Sequence, residues 1–115
     1  MPISERQVGD VTVIDLSGKL ASSDESGRLK EKVTSVFFQG RKQVLINLKD
    51  LSYMDSSGLG ELVRTYATAN RQGGTLKLVN LTKRLHDLLV ITKLSNVFDS
   101  FDDEDTAVRS FGVAV

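Results

Sequence analysis

The chain of 115 residues contains no cysteine, one histidine and one proline. Without cysteine there is no disulfide framework, no thiolate nucleophile and no sulfur-ligated metal. One histidine cannot build an imidazole cluster, so neither a metal nor a cofactor is expected. The proline is Pro2, upstream of every element proposed below and unable to break any of them. An excess of charge of one sign is missing too: fifteen basic and fifteen acidic residues give a formal net charge of zero. The field that draws a protein onto nucleic acid or an anionic membrane is therefore absent, and no direct nucleic-acid or membrane partner is expected. Apolar runs last only a few residues, against about 20 for a membrane-spanning helix. Met1 to Val8, with Glu5 and Arg6, lacks the apolar stretch and cleavage site of a signal peptide, so a cytoplasmic location is expected.

What is present is the composition of an ordinary folded domain. Apolar residues make up 40% and charged residues 26%, far from the signature of disorder. A chain of this length buries roughly two-thirds of its unfolded surface, and no linker, repeat or low-complexity tract divides it. One domain over residues 1–115 is expected.

Periodicity sets out the elements. Val11 to Leu16 reads Val-Thr-Val-Ile-Asp-Leu, the alternation of a strand with one buried face, and Gly9-Asp10 is a turn dipeptide that joins it to an antiparallel partner at Ile3 to Val8. Ser22-Ser23-Asp24 offers N-cap side chains for a helix carrying Leu29, Val33, Val36 and Phe37 up to Gly40. Gln43 to Leu48 holds a nearly continuous apolar run, expected of a central strand. Leu59, Leu62, Val63, Tyr66 and Ala67 mark a second helix that stops near Gly73-Gly74. Thr75 to Asn80 alternates again, and Leu81, Leu85, Leu88 and Leu89 follow with Thr82 at the start of a third helix. An apolar stretch at Val97 to Phe101 precedes Asp102-Asp103-Glu104-Asp105, acidic residues suited to the start of a last helix with Ala107, Val108 and Phe111. Strands alternating with helices after an initial hairpin predict an α/β fold, with the middle strands parallel through right-handed crossovers.

The informative stretch runs from Asn47 at the end of the central strand through Lys49-Asp50 and Leu51-Ser52-Tyr53-Met54-Asp55-Ser56-Ser57-Gly58-Leu59-Gly60, read as a loop leading into the second helix. Sites in open α/β sheets gather beyond the carboxyl ends of strands, where a following helix presents unpaired N–H groups. Asp55, Ser56 and Ser57 are all good N-cap residues, so all three are expected to be accessible to solvent. A phosphate on Ser56 would add about −1.5 to −2 charges at the positive end of the helix dipole, changing the surface rather than the fold. Gly58 and Gly60 cost roughly 1 kcal/mol each in helix propensity, and permit another backbone or a ligand to approach closely. Taken on chemistry alone, an Asp-Ser-Ser-Gly helix start is usually a cap and nothing more.

That ten-residue run closely resembles the signature of bacterial anti-sigma factor antagonists of the STAS domain family, and the order of strands and helices agrees across nearly the whole chain. The resemblance implies the STAS fold, a mixed sheet of four to five strands with about four helices. It implies a non-enzymatic regulator that binds an anti-sigma factor, itself a GHKL-type serine kinase, and so frees the sigma factor. The serine after the aspartate, here Ser56, is the residue the kinase would phosphorylate, with Ser57 as the competing site. Phosphorylation would end binding and a metal-dependent serine phosphatase would reverse it. Asp55 would orient the segment, Gly58 and Leu59 would form its close-contact edge, and a monomer or weak dimer is expected. Many members carry an acidic residue shortly after the Gly-x-Leu that ends the second strand, whereas Gly18-Lys19-Leu20 is followed by Ala21; Asp24 is the candidate replacement in the partner surface.

Other functions fit less well. A serine hydrolase needs a base and an orienting acid beside its nucleophile, usually in Gly-x-Ser-x-Gly, whereas Ser56 sits in Met54-Asp55-Ser56-Ser57-Gly58 and His86 reads as a surface or boundary residue. Gly58-x-Gly60 lacks the further glycine or the lysine of a nucleotide-binding loop. The open alternative keeps the fold and changes the role, to a STAS scaffold in a stress-signalling assembly or an accessory subunit of a transport system.

Overall fold

The computed structural model describes residues 2–20 and 27–112. Strand β1 (Ile3–Val8) turns at Gly9-Asp10 and pairs antiparallel with β2 (Val11–Leu20), with Val8 opposite Val11. Helix α1 (Arg28–Phe38) then leads to β3 (Gln43–Met54), α2 (Ser56–Arg71) to β4 (Thr75–Val79), and α3 (Lys83–Ile91) to β5 (Ser100–Phe101), before the short α4 (Glu104–Arg109). The sheet order is β1-β2-β3-β4-β5, with β2 to β5 parallel. This is the expected mixed sheet of five strands with four helices.

Three crossovers of one hand, each stepping to the next strand, place their helices on one face. Ile14 and Leu16 of β2, Val44, Ile46 and Leu48 of β3, and Leu76 and Leu78 of β4 point to that face. They pack against Leu29, Val33, Val36 and Phe37 of α1, Leu59 and Leu62 of α2, and Leu85 and Leu89 of α3. Because side chains alternate along a strand, Val11, Val13, Leu45 and Val79 form a second apolar cluster on the opposite face. It is covered by Ala107 and Val108 of α4, with Phe111 just beyond that helix.

A polar network continues this second face beyond α4. Arg6 of β1 donates to both oxygens of Asp15 on β2, at 2.7 and 3.1 Å, and to both oxygens of Glu104 in α4, at 2.9 and 2.5 Å. Asn47 of β3 donates to Asp15 Oδ1 at 2.8 Å and accepts from Asn80 at 3.0 Å. The guanidinium of Arg6 thus ties the first turn of the last helix to the sheet.

Three boundaries differ from expectation. Strand β2 runs on to Leu20 rather than ending at Leu16. Helix α1 begins at Arg28 after Gly27, which has φ of 90° and no side-chain cap; Ala21 and the expected caps Ser22, Ser23 and Asp24 lie outside the described residues. Lys49 to Met54, read as loop, is strand: β3 has twelve residues, and a single residue, Asp55, separates it from α2. The cause is a pair of bulges. Asp15 and Ser17 face Asn47 and Asp50, and Gly18 and Lys19 face Leu51 and Tyr53, so β3 carries one extra residue at each step. Each shifts the alternation by one, bringing Leu48, Leu51 and Met54 to the same buried face at intervals of three.

Candidate functional site

The first turn of α2 is built by one carboxylate. Asp55 has extended backbone, and its Oδ1 accepts the Gly58 N–H at 2.9 Å, while its carbonyl oxygen accepts the Leu59 N–H at 2.9 Å. This is the N-cap arrangement that its residue type favours. Asp55 is partly buried, whereas Ser56 and Ser57, the first two helical residues, are exposed. Both hydroxyls are thus presented to solvent at the end of the central strand, as the sequence predicts.

Gly58 and Leu59 occupy the inner side of the same turn. A Cβ built on Gly58 would lie 1.8 Å from the carbonyl oxygen of Leu20 and 2.6 Å from its carbonyl carbon. The close backbone approach expected at this glycine is made within the chain, to the last residue of β2. Leu59 is 5% exposed and belongs to the main core. Neither presents a side chain at the surface; they anchor the turn that presents Ser56 and Ser57. Asp24, expected in the same surface, lies outside the described residues.

The length of β2 brings in neighbours that sequence reasoning did not place. Lys19 is exposed and stands opposite Tyr53, a residue 39% exposed, and Ser52 donates its hydroxyl to the Gly18 carbonyl at 2.9 Å. Lys19 and Tyr53 thus stand side by side near the ends of β2 and β3, just ahead of the segment that carries the two serines. The signal for Tyr53 is the three-residue spacing of Leu51 and Met54, which leaves the two positions between them, Ser52 and Tyr53, outward.

Further along α2, Glu61 is almost wholly buried, at 4% exposure. Its Oε2 accepts the backbone N–H of Lys30 in the first turn of α1 at 3.4 Å, and its Oε1 lies 3.4 Å from Arg64 Nη2. With glycine at the N-cap of α1, a carboxylate from the neighbouring helix takes over part of that role. Gly60 has no such backbone contact: a Cβ there would meet only the Arg64 guanidinium, with Nη1 at 3.3 Å.

His86 is exposed on α3, with Nδ1 3.7 Å from its neighbour Asp87. Among the described residues no group of three or more His, Cys, Asp or Glu could hold a metal ion, and no helix is long and apolar enough to cross a membrane.

Known proteins show the same architecture. Over 71 residues the chain is 48% identical to the anti-sigma-B factor antagonist of Bacillus subtilis (strain 168), a stretch that is 62% of this chain and 64%, just under two-thirds, of that relative. Over 103 residues it is 26% identical to the anti-sigma F factor antagonist of Paenibacillus polymyxa, covering 90% of this chain and 88% of the other. The phosphorylated form of the Bacillus cell fate determinant SpoIIAA shares the fold with a TM-score of 0.71 at 21% identity, over 96% of this chain and 99% of that one. The STAS domain model matches residues 3–107, from the first residue of β1 into α4, and the chain belongs to the STAS domain family.

Proposed function

We propose that this chain is an anti-sigma factor antagonist that binds an anti-sigma factor of the GHKL serine-kinase class and thereby frees a sigma factor, and that phosphorylation of Ser56 ends the binding. The observation that carries the reading is the division of labour in one helical turn. Ser56 is exposed, while Asp55 caps the helix and Gly58 and Leu59 lock it to β2 and the core. A phosphate at Ser56 therefore changes the surface without displacing a buried group. Both relatives aligned above carry the name of anti-sigma factor antagonists, which supports the same role.

The physics of release is electrostatic. A close interface over Ser56, Ser57, Tyr53 and Lys19 tolerates a neutral hydroxyl; a dianion held against acidic or poorly solvated partner groups costs several kcal/mol. Catalysis resides in the partners, a kinase that adds the phosphate and a metal-dependent serine phosphatase that removes it, in the cytoplasm. Asp55, Gly58 and Leu59 serve by fixing the presentation of the serine.

Intact-mass and peptide mass spectrometry after incubation with ATP and the candidate kinase tests this, comparing wild type with Ser56→Ala and Ser57→Ala. One phosphate, lost only in Ser56→Ala, is the expected result. Loss only in Ser57→Ala moves the switch by one residue. Stable kinase binding without a phosphate makes the chain a constitutive binder, and no binding favours a scaffold or transport-accessory role.

A further inference from the structure

We infer that Lys83 and Arg84, the first two residues of α3, form a cationic docking site for an acidic surface of the anti-sigma factor, an assignment that rests on the function proposed above. Leu59 belongs to the turn that carries Ser56, and Met54 packs beneath that turn at Gly58. The two line one apolar pocket together with Leu81 and Leu85. Leu81 and Leu85 bracket Lys83 and Arg84 in the chain, so the first turn of α3 is packed beside the first turn of α2. Both cations are exposed to solvent.

Neither cation has a hydrogen-bond or ion-pair partner among the described residues. The one carboxylate of α3, Asp87, lies a turn further on, and its contact is with His86 at 3.7 Å. By contrast Arg6, Lys32 and Arg41 each meet a carboxylate. Lys83 and Arg84 also oppose the helix dipole, whose positive end lies at the first turn, and α3 has no acid there to offset them. Stability therefore does not account for two cations at this position, whereas a partner that supplies the missing negative charge does.

Charge is partitioned over the fold in the same sense. Helices α1 to α3, on one face of the sheet, hold seven basic and three acidic residues, and one of the acids, Glu61, is buried. Residues 99–109, which include β5 and α4, hold five acidic residues and one basic. A chain of zero net charge thus presents a basic helical face, and an acidic partner is drawn to that face and turned away from α4. Phosphorylation of Ser56 then adds about −1.5 to −2 charges on the neighbouring turn and offsets the two cations where binding is switched.

The test measures association and dissociation rates with the candidate kinase, at low and at physiological ionic strength. It compares the parent chain with Lys83→Gln/Arg84→Gln and with the control Arg71→Gln/Lys93→Gln. Each variant loses two charges, the control at or just beyond the opposite ends of α2 and α3. In Lys83→Gln/Arg84→Gln the association rate should fall about tenfold at low ionic strength, and added salt should shrink the difference. Its melting temperature should equal or exceed that of the parent chain, because the lost cations opposed the dipole. The control should associate within about twofold of the parent rate. A parental association rate in Lys83→Gln/Arg84→Gln, or an equal loss in the control, overturns the assignment and leaves the antagonist reading standing. Unchanged kinase binding with lost binding to vesicles containing phosphatidylglycerol would overturn it in favour of a membrane surface. A kinase that binds none of the three proteins removes the antagonist reading and this assignment with it.

Discussion

The Cα of Gly58 faces the carbonyl oxygen of Leu20 so closely that a methyl group added to it would lie 1.8 Å from that oxygen. Both collision partners are backbone, so no rotamer change relieves the contact. Gly58→Ala is predicted to cost about 3 kcal/mol or more by forcing α2 away from β2. Gly60→Ala, two residues on, meets only the movable end of Arg64 and should instead stabilise by about 0.5 to 1 kcal/mol through helix propensity. Urea denaturation distinguishes the pair: the midpoint should fall in the first variant and rise in the second, and a small effect in the first refutes the close approach.

Glu61 is predicted to hold the start of α1 from outside that helix. Glu61→Ala removes the acceptor for Lys30 N and should cost about 1 kcal/mol, with faster amide hydrogen exchange confined to the first turn of α1. Glu61→Gln keeps an acceptor oxygen and should retain most of the protection. Equal exchange in all three proteins would show that the carboxylate does not cap.

The Arg6 network predicts acid sensitivity. Hydrogen bonds from Arg6 hold the carboxyl groups of Asp15 and Glu104 below their ordinary values of 3.8 and 4.5, with Asn47 adding to the effect on Asp15 and partial burial opposing it in both. A carboxylate lowered in this way binds fewer protons folded than unfolded. Its contribution is complete above the ordinary carboxylate range and drains as pH falls through about 4.5 and below. The stability of Arg6→Gln should therefore fall less steeply with acid over that interval than that of the parent chain. Parallel pH profiles, measured by denaturation at each pH, would show that the network contributes nothing.

Lys93 has a φ of 62° directly after the C-cap residue Thr92 of α3, a left-handed conformation that glycine adopts without strain. Lys93→Gly is predicted to stabilise the fold by up to about 1 kcal/mol, seen as a higher melting temperature. A decrease would mean that the lysine side chain contributes more than the backbone strain costs.

The order of elements was legible because each carried its own period: alternation in Val11 to Leu16, three- and four-residue spacing from Leu59 to Tyr66, a continuous run from Val44 to Ile46. The end of β3 was not legible, since two bulges replace alternation at Leu48, Leu51 and Met54 by steps of three, a spacing that mimics a helix or loop. At the site, a cap drawn from Asp55, Ser56 and Ser57 and the exposure of Ser56 followed from residue type and position, while the choice of Asp55 as that cap came only with the structure. The inward role of Gly58 was hidden, because the strand that approaches it ends 38 residues earlier in the chain, at Leu20. Glu61 and Arg64 were hidden for a similar reason, since their partners are set by how α2 lies against α1 and by an absent side chain at Gly60.

A connection of one residue between β3 and α2 leaves no slack. Inserting or deleting a residue between Leu48 and Leu59 would rotate Ser56 away from its present direction or pull Gly58 off Leu20, so this stretch is bound by length as much as by chemistry. Many substitutions at the outward positions Ser52 and Tyr53 leave that metric intact. Diversification of partner preference can therefore proceed by exchanging side chains on a fixed frame, and the ruler that holds the serine in place is the backbone itself.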